Sequence, residues 1–433
     1  MSIVALLAFS IALLLAVLVS NLAERTIISL AVLFLIAGFV VGPGVLSLVG
    51  IKPDSTFFNG FIELALVTVL FTDGMHIGFG DIKSVWLLPG RALLLGMPLA
   101  LLVMAVLAHF VTGLPWGESL LVGAVLSPTD PIFASAIVGR EEIPSAIRRL
   151  LNVESGLNDG LALPLVLIIL GLIGVTQLDI LGWVGQVFLG LGVGAAIAWI
   201  AVRLQHSHVL KAVNIYRPLL VFSIGLLVYS LASTLHANYF LGAFAAGVII
   251  ATLDPSLRDS FSQIGEMLTM LFKLASLLLL GALLSFEFLS TIQLRDYVFA
   301  LLVLIVARPV SVVISMLGTK LKRHELVTIA WFGPRGFASV LYGLLVLRSG
   351  LPAAGHLFHL VAVVIIGSIF LHSTTDVVAV DWFRRRRQQR EADASREEPP
   401  FQKDQASLED HPLQENQASQ GDQGAREEEA VEG

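Results

Sequence analysis

The sequence predicts an all-α polytopic membrane protein of about 13 transmembrane helices, arranged as two inverted-topology repeats with crossed discontinuous helices. Three observations carry this expectation. Apolar stretches long enough to cross a hydrocarbon core of about 30 Å recur along the first 383 residues. The composition agrees, with 56% hydrophobic and only 14% charged residues and a mean hydropathy of +0.85, where a soluble domain carries about 25% charged residues. Finally, the span pattern repeats after about 205 residues, the spans near 89, 118 and 147 falling on those near 296, 324 and 356. An odd number of spans separates the copies, so the second is inverted relative to the first.

In chain order the spans lie near 2–21, 26–46, 57–74, 89–111, 118–138, 147–174, 181–203, 215–235, 238–253, 262–286, 296–318, 324–347 and 356–381. The first has no basic stretch before it and is longer than the apolar core of a signal peptide, so it reads as a retained helix. Residues 1–175 form repeat one, 181–203 a linking helix and 215–383 repeat two. Around LHANYF (235–240) a single short turn must separate two short helices.

With the N-terminus outside, the inner loops collect Arg25, Lys83, Arg140, Arg148, Arg149, Arg203, Lys211, Arg217, Arg258, Lys320, Lys322, Arg323 and Arg384 to Arg387. The outer loops hold only Lys52, Arg295 and Arg348. This asymmetry predicts a multi-pass protein of the cell (inner) membrane with a cytoplasmic C-terminus. The net charge of −6 belongs to the tail: from Gln388 onward thirteen acids face four bases, a balance of −9, which leaves +3 for the rest. Residues 384–433 are therefore expected to be an acidic, disordered cytoplasmic segment. The absence of cysteine excludes disulfides and thiol chemistry. No phosphate-binding loop is present, so ATP is not the direct driver; no cofactor and no nucleic-acid partner are expected.

Residues 127–160 read SPTDPIFASAIVGREEIPSAIRRLLNVESGLNDG and place Asp130, Glu154, Ser155, Asn158 and Asp159 inside membrane spans. Asp130 and Asp159 each lie twelve residues in, roughly 18 Å deep, beyond the reach of a short side chain that would snorkel to the interface. A charge there costs about 2.5–3.5 kcal/mol on insertion scales and so marks an ion path or a partnered site. Two spans are interrupted at matching places, by Pro128-Thr129-Asp130-Pro131 and by Gly333-Pro334-Arg335-Gly336. Proline removes a donor and clashes with the preceding turn, so both helices should unwind at mid-depth, the pattern of a secondary transporter.

On the helix from Ile147, Ser155 and Asp159 share one face while Glu154 and Asn158 share another, about 100° away. Asp159, the Ser155 hydroxyl and a backbone carbonyl near Thr129 would make an all-oxygen site for a hard monovalent cation. Without the cation, a desolvated carboxylate takes a proton instead. Glu154 is expected to pair with Arg308, twelve residues into its span from Asp296, and Arg335 to hold the two unwound segments together. Asp73, in FTDGMH, reads either as a funnel carboxylate or as an interfacial charge. Lys273 receives no role, and His76, His109, His206 and His208 show no metal-ligand spacing.

These motifs resemble the monovalent cation/proton antiporters of the NhaP and sodium/proton exchanger branch. The match covers about residues 1–383 through Thr129-Asp130-Pro131, Glu154-Ser155 with Asn158-Asp159, Arg308 and the Pro-Arg-Gly around Arg335. The resemblance implies thirteen helices, a homodimer, a core domain that moves against a dimer domain, and Asp159 as the cation and proton site. It also implies Asp130 beside the crossed helices and a Glu154–Arg308 pair. Na⁺ is the first candidate ion, with Li⁺ and K⁺ as alternatives. Electrogenic relatives carry Asp-Asp where Asn158-Asp159 stands and lysine where Arg308 stands, so one-for-one, electroneutral exchange is expected. The alternatives are a cation channel and, more remotely, an intramembrane aspartyl protease. The latter's GxGD is matched by Gly78-Phe79-Gly80-Asp81, but this lies in an inner loop beside Lys83, and the chain has no Tyr-Asp pair.

Overall fold

The computed structural model describes residues 3–23, 29–50, 55–77, 87–130, 145–173, 180–207 and 210–397. Pro131, Arg25, Lys52, Lys83, Arg140, His208 and the Gly78–Asp81 motif lie outside them, as do residues 398–433. The helices are α1 (Ile3–Ala23), α2 (Leu30–Val41), α3 (Thr56–Met75), α4 (Leu88–Thr112), α5 (Trp116–Leu126), α6 (Ser145–Leu172), α7 (Ile180–Gln205), α8 (Arg217–Thr234), α9 (Tyr239–Leu253), α10 (Pro255–Leu283), α11 (Phe286–Thr291), α12 (Leu294–Ser315), α13 (Arg323–Trp331), α14 (Phe337–Leu347) and α15 (Ala354–Glu397). Among the described residues eight helices are long and apolar enough to cross a membrane alone, and five apolar helices are shorter. Of the short ones, α14 is half of a span interrupted at 332–336 after α13, and α5 gives way to unwound backbone at 127–130. At 1.5 Å per residue eleven residues cover only about 16 Å, so each stops near mid-depth.

Polar caps fix ends that hydropathy leaves vague. Asn238 accepts from the Leu241 N–H at 3.0 Å and starts α9, and His236 takes a left-handed φ of 53° in the turn before it. The single tight turn anticipated around LHANYF is thereby made. Asp254 accepts from the Leu257 N–H at 3.0 Å, and Pro255 occupies the first turn of α10. This helix therefore starts seven residues before the expected 262, with Arg258 and Asp259 on its added turns, and Lys273 falls well inside it. The short α11, capped by Ser285, has no counterpart among the expected spans.

Helices α4 and α12 both depart from regular geometry. The segments Ala92–Gly96 and Val303–Ala307 are π-helical, and a second π turn covers Ala108–Thr112. Pro98 follows the first and Pro309 follows Val303–Ala307. Each proline lacks an N–H and would crowd the carbonyl four residues back, so the ladder slips by one residue; the Met97 N–H reaches the Ala92 carbonyl.

Around the breaks, α4 packs on α5 and α12, and α6 on α5, α13 and α14. A second group comprises α2 and α3 with α7–α10. Within it α7 and α9 approach so closely that a Cβ at Gly194 would overlap the Gly242 carbonyl, the small-residue contact by which membrane helices associate. Helices α3 and α10 join the groups, both packing on α14.

The last helix is longer than the span expected at 356–381. It does not end at 381, and residues 384–397, placed at the start of a disordered tail, are helical. Their Arg, Gln, Glu and Ala are strong helix formers, and extending an existing helix avoids the cost of nucleation.

Candidate functional site

The unwound residues Ser127–Asp130 and Phe332–Gly336 run past one another and satisfy each other's backbone. The Asp130 N–H donates to the Pro334 carbonyl at 2.9 Å. Asp130 Oδ2 accepts from the Phe337 N–H at 3.2 Å, and Arg335 Nη1 donates to the Ser127 carbonyl at 2.8 Å. A carboxylate thus meets the positive N-terminal end of α14, and a guanidinium meets the negative C-terminal end of α5. The Arg335 N–H is held by Ser368 Oγ of α15 at 2.7 Å.

Glu154 and Arg308 form a two-pronged ion pair, Nη1 to Oε1 at 2.8 Å and Nη2 to Oε2 at 3.1 Å. Arg308 spends its remaining donors on α13, with Nε to the Ile329 carbonyl at 3.3 Å and Nη2 to the Phe332 carbonyl at 3.1 Å. It therefore also closes the C-terminal end of that half-helix. Gly333 leaves the room: a Cβ there would overlap the guanidinium. His372, which sequence reasoning passed over, has Nδ1 2.8 Å from the Ser368 carbonyl and Nε2 3.1 Å from the Trp331 carbonyl, so it braces the same end of α13. A lone histidine in an apolar span gave no signal of this.

Helix α6 is pinned to the first break by two side chains. The Ser155 hydroxyl donates to the Thr129 carbonyl, and Asn158 Nδ2 donates to Thr129 Oγ1 at 2.7 Å. The Asp159 carbonyl accepts from the Tyr342 hydroxyl at 2.6 Å. The Asp159 side chain stands apart from this saturation. Its Oδ1 is buried without a hydrogen-bond partner, and so are Asn158 Oδ1, Asp73 Oδ2, Thr72 Oγ1, Thr269 Oγ1 and Ser339 Oγ. These oxygens come from α3, α6, α10 and α14; α3 and α14 pack on each other and each on α6 and α10. An unsatisfied buried polar group costs about 1–3 kcal/mol. Unpartnered oxygens on helices that pack together are the donor type a hard cation takes.

Asp73, in the last turn of α3, is buried, 8% exposed, and its Oδ2 has no hydrogen-bond partner. Asp130 has both oxygens engaged, because Oδ1 faces Lys273 Nζ at 3.8 Å. That lysine is the residue sequence reasoning missed. It projects from α10 over the Phe337 ring, 5.2 Å from its centroid, and shares a helix face with Thr269 four residues earlier. The Asp254-Pro255 start signal would have put it deep inside its helix.

The family profile described as sodium/hydrogen exchanger, transmembrane, matches residues 10–381. The chain is 26% identical over 373 residues to the K(+)/H(+) antiporter NhaP2 of Shewanella sp. (strain MR-4), covering 83% of this chain and 63% of that protein. It is 25% identical over 359 residues to the K(+)/H(+) antiporter NhaP of Alkalimonas amylolytica, covering 81% and 62%. The chain thus spans less than two thirds of the length of these relatives. The fold is similar to that of the sodium proton antiporter MjNhaP1 from Methanocaldococcus jannaschii at pH 8, with a TM-score of 0.73 at 22% identity over 88% of this chain and 97% of that one. With a family match from residue 10 to residue 381 and a shared fold, the chain belongs to the sodium/hydrogen exchanger family.

Proposed function

We propose that this protein exchanges a monovalent cation for protons across the cell (inner) membrane by alternating access, with Asp159 as the carboxylate that both ions share. The observation that carries the reading is the buried, unpartnered Asp159 Oδ1 on the helix that Ser155 and Asn158 pin to the unwound Thr129. A cation held there by Asp159, the Ser155 hydroxyl and oxygens near Thr129 is displaced when the carboxylate takes a proton, and the reverse step reloads it. Asn158 and Thr129 hold Asp159's helix against the break, Asp130 and Arg335 hold the break itself, and Asp73 supplies a second carboxylate to the pocket. Glu154 and Arg308 stay charged and paired throughout. The protein acts as a homodimer with its N-terminus outside and its C-terminus in the cytoplasm, an orientation supported by the loop charges.

Asp159 alternating between one cation and one proton, with Asp73 and Asp130 unchanged in charge through the cycle, moves no net charge. Asn158 does not titrate and arginine stays protonated, so neither carries a second proton. The test uses proteoliposomes loaded with a pH dye. Adding Na⁺, K⁺ or Li⁺ in turn should drive proton movement for at least one ion, K⁺ standing beside Na⁺ because the relatives above are named as K(+)/H(+) antiporters. At fixed cation and pH gradients, the balance point at which flux stops should not move with an imposed membrane potential. Cation current without coupled proton movement would establish a channel instead.

A further inference from the structure

Lys273 is a full positive charge, 7% exposed, placed within the membrane part of the molecule by α10. Its nearest anion is Asp130, whose other oxygen already serves the Phe337 N–H. Asp130 of the break lies 3.8 Å from the ammonium, and Asp73 and Asp159 are buried on α3 and α6, which pack on each other, α3 also on α10. The α14 side contributes the Phe337 ring and the Tyr342 hydroxyl, and α2 carries no titratable residue. His76 and Glu266 meet each other farther along α3 and α10, at the exposed end. Three buried carboxylates therefore lie on elements that pack around the α3–α10 contact with one ammonium, and the ammonium is tied to Asp130, the one whose oxygens are engaged.

We propose that Lys273 is a tethered counter-cation of the transport site: held by Asp130, it lowers the hold of the pocket on both substrates and so sets the concentration and pH range in which exchange runs. The inference rests on Asp159 being the shared carboxylate. Lysine suits the task because its compact ammonium sits on a flexible stem and acts on all three carboxylates at once without filling the ligand positions of any. Asp130 is the positioning residue, and Thr269 places a hydroxyl on the same face of α10.

The sign follows directly. Removing the ammonium leaves Asp130 uncompensated and adds net negative charge around Asp159, so cation and proton are both held more tightly. In Lys273→Met the cation KM, measured well to the alkaline side of the activity range, should fall by roughly 10- to 100-fold, the scale for removing one unit charge about 6–12 Å away at an effective dielectric of about 20. The acid limb of the rate profile should move to higher pH, because the proton competes from a higher pH. Lys273→Arg, which keeps the charge on a bulkier group, should stay nearer wild type in both readouts than Lys273→Met. Asp130→Asn should shift both readouts the opposite way, and the Lys273→Met/Asp130→Asn double variant should return them toward wild type.

These variants would be assayed by dye-monitored exchange in proteoliposomes with Na⁺ and with K⁺, after size-exclusion chromatography confirms folded protein. An unchanged or raised KM in folded Lys273→Met, or a double variant no nearer wild type than either single, would overturn the inference and leave Lys273 a packing residue. Should Lys273→Met fail to fold, Asp130→Asn decides alone: an unchanged KM overturns the inference and a raised one supports it. Absence of exchange in the wild-type protein would instead remove the function on which the inference rests, so the two failures are distinguishable.

Discussion

Two buried acids on one helix, Glu154 and Asp159, lie little more than one turn apart and have opposite surroundings. Glu154 is closed: both oxygens are taken by Arg308, which is further fixed by two carbonyls of α13. Asp159 is open: its Oδ1 has no partner, and neither do several oxygens of the helices around it. Burial alone therefore does not distinguish a structural charge from a working one. The distinguishing feature is whether the hydrogen-bonding capacity is spent, since a saturated pair has nothing left to offer an ion.

The comparison breaks most sharply at Asp159. Asp159→Asn should abolish cation-dependent proton movement while the detergent melting temperature stays close to wild type, because an amide restores neutrality without disturbing any bond the carboxylate makes to the protein. Normal exchange rates in that variant would sink the assignment. Glu154→Ala and Arg308→Ala should do the reverse to stability. Each strands the other charge in the interior, a loss of about 3–5 kcal/mol, and both should melt well below Asp159→Asn; equal melting temperatures for all three would refute the contrast. A smaller effect tests the room made for the closed pair: Gly333→Ala should cost about 1–3 kcal/mol by pushing the Arg308 guanidinium out of place, read as a lowered melting temperature that Arg308→Lys partly relieves.

Much of the architecture was legible because the membrane makes charges and prolines conspicuous. An apolar span with Asp, Glu or Arg at its centre must explain itself, so Asp130, Glu154, Asp159, Arg308 and Arg335 stood out, and two proline clusters marked the interrupted helices. Less visible were features that depend on where a helix begins or how its ladder runs. Lys273 looked ambiguous until the Asp254 cap moved the start of α10 back by two turns. The π turns have no hydropathy signature, and the helical stretch through Glu397 is as polar as a disordered one. The contrast between Glu154 and Asp159 was only half legible as well: spacing assigns them to different faces, but which oxygen is spent and which is spare depends on neighbours from four other helices.

The π turn at Val303–Ala307 ends at the residue before Arg308. One extra residue in a turn rotates everything beyond it by about 100° relative to an unbroken α-helix, so this slip acts as a phase setter, deciding which way the guanidinium points for a given seating of the helix at Asp296. Removing one residue from the segment would straighten α12 and at the same time index Arg308 away from Glu154 and from the carbonyls of α13. The irregular turn is thus a part of the ion pair's address, written in helix register rather than in any side chain.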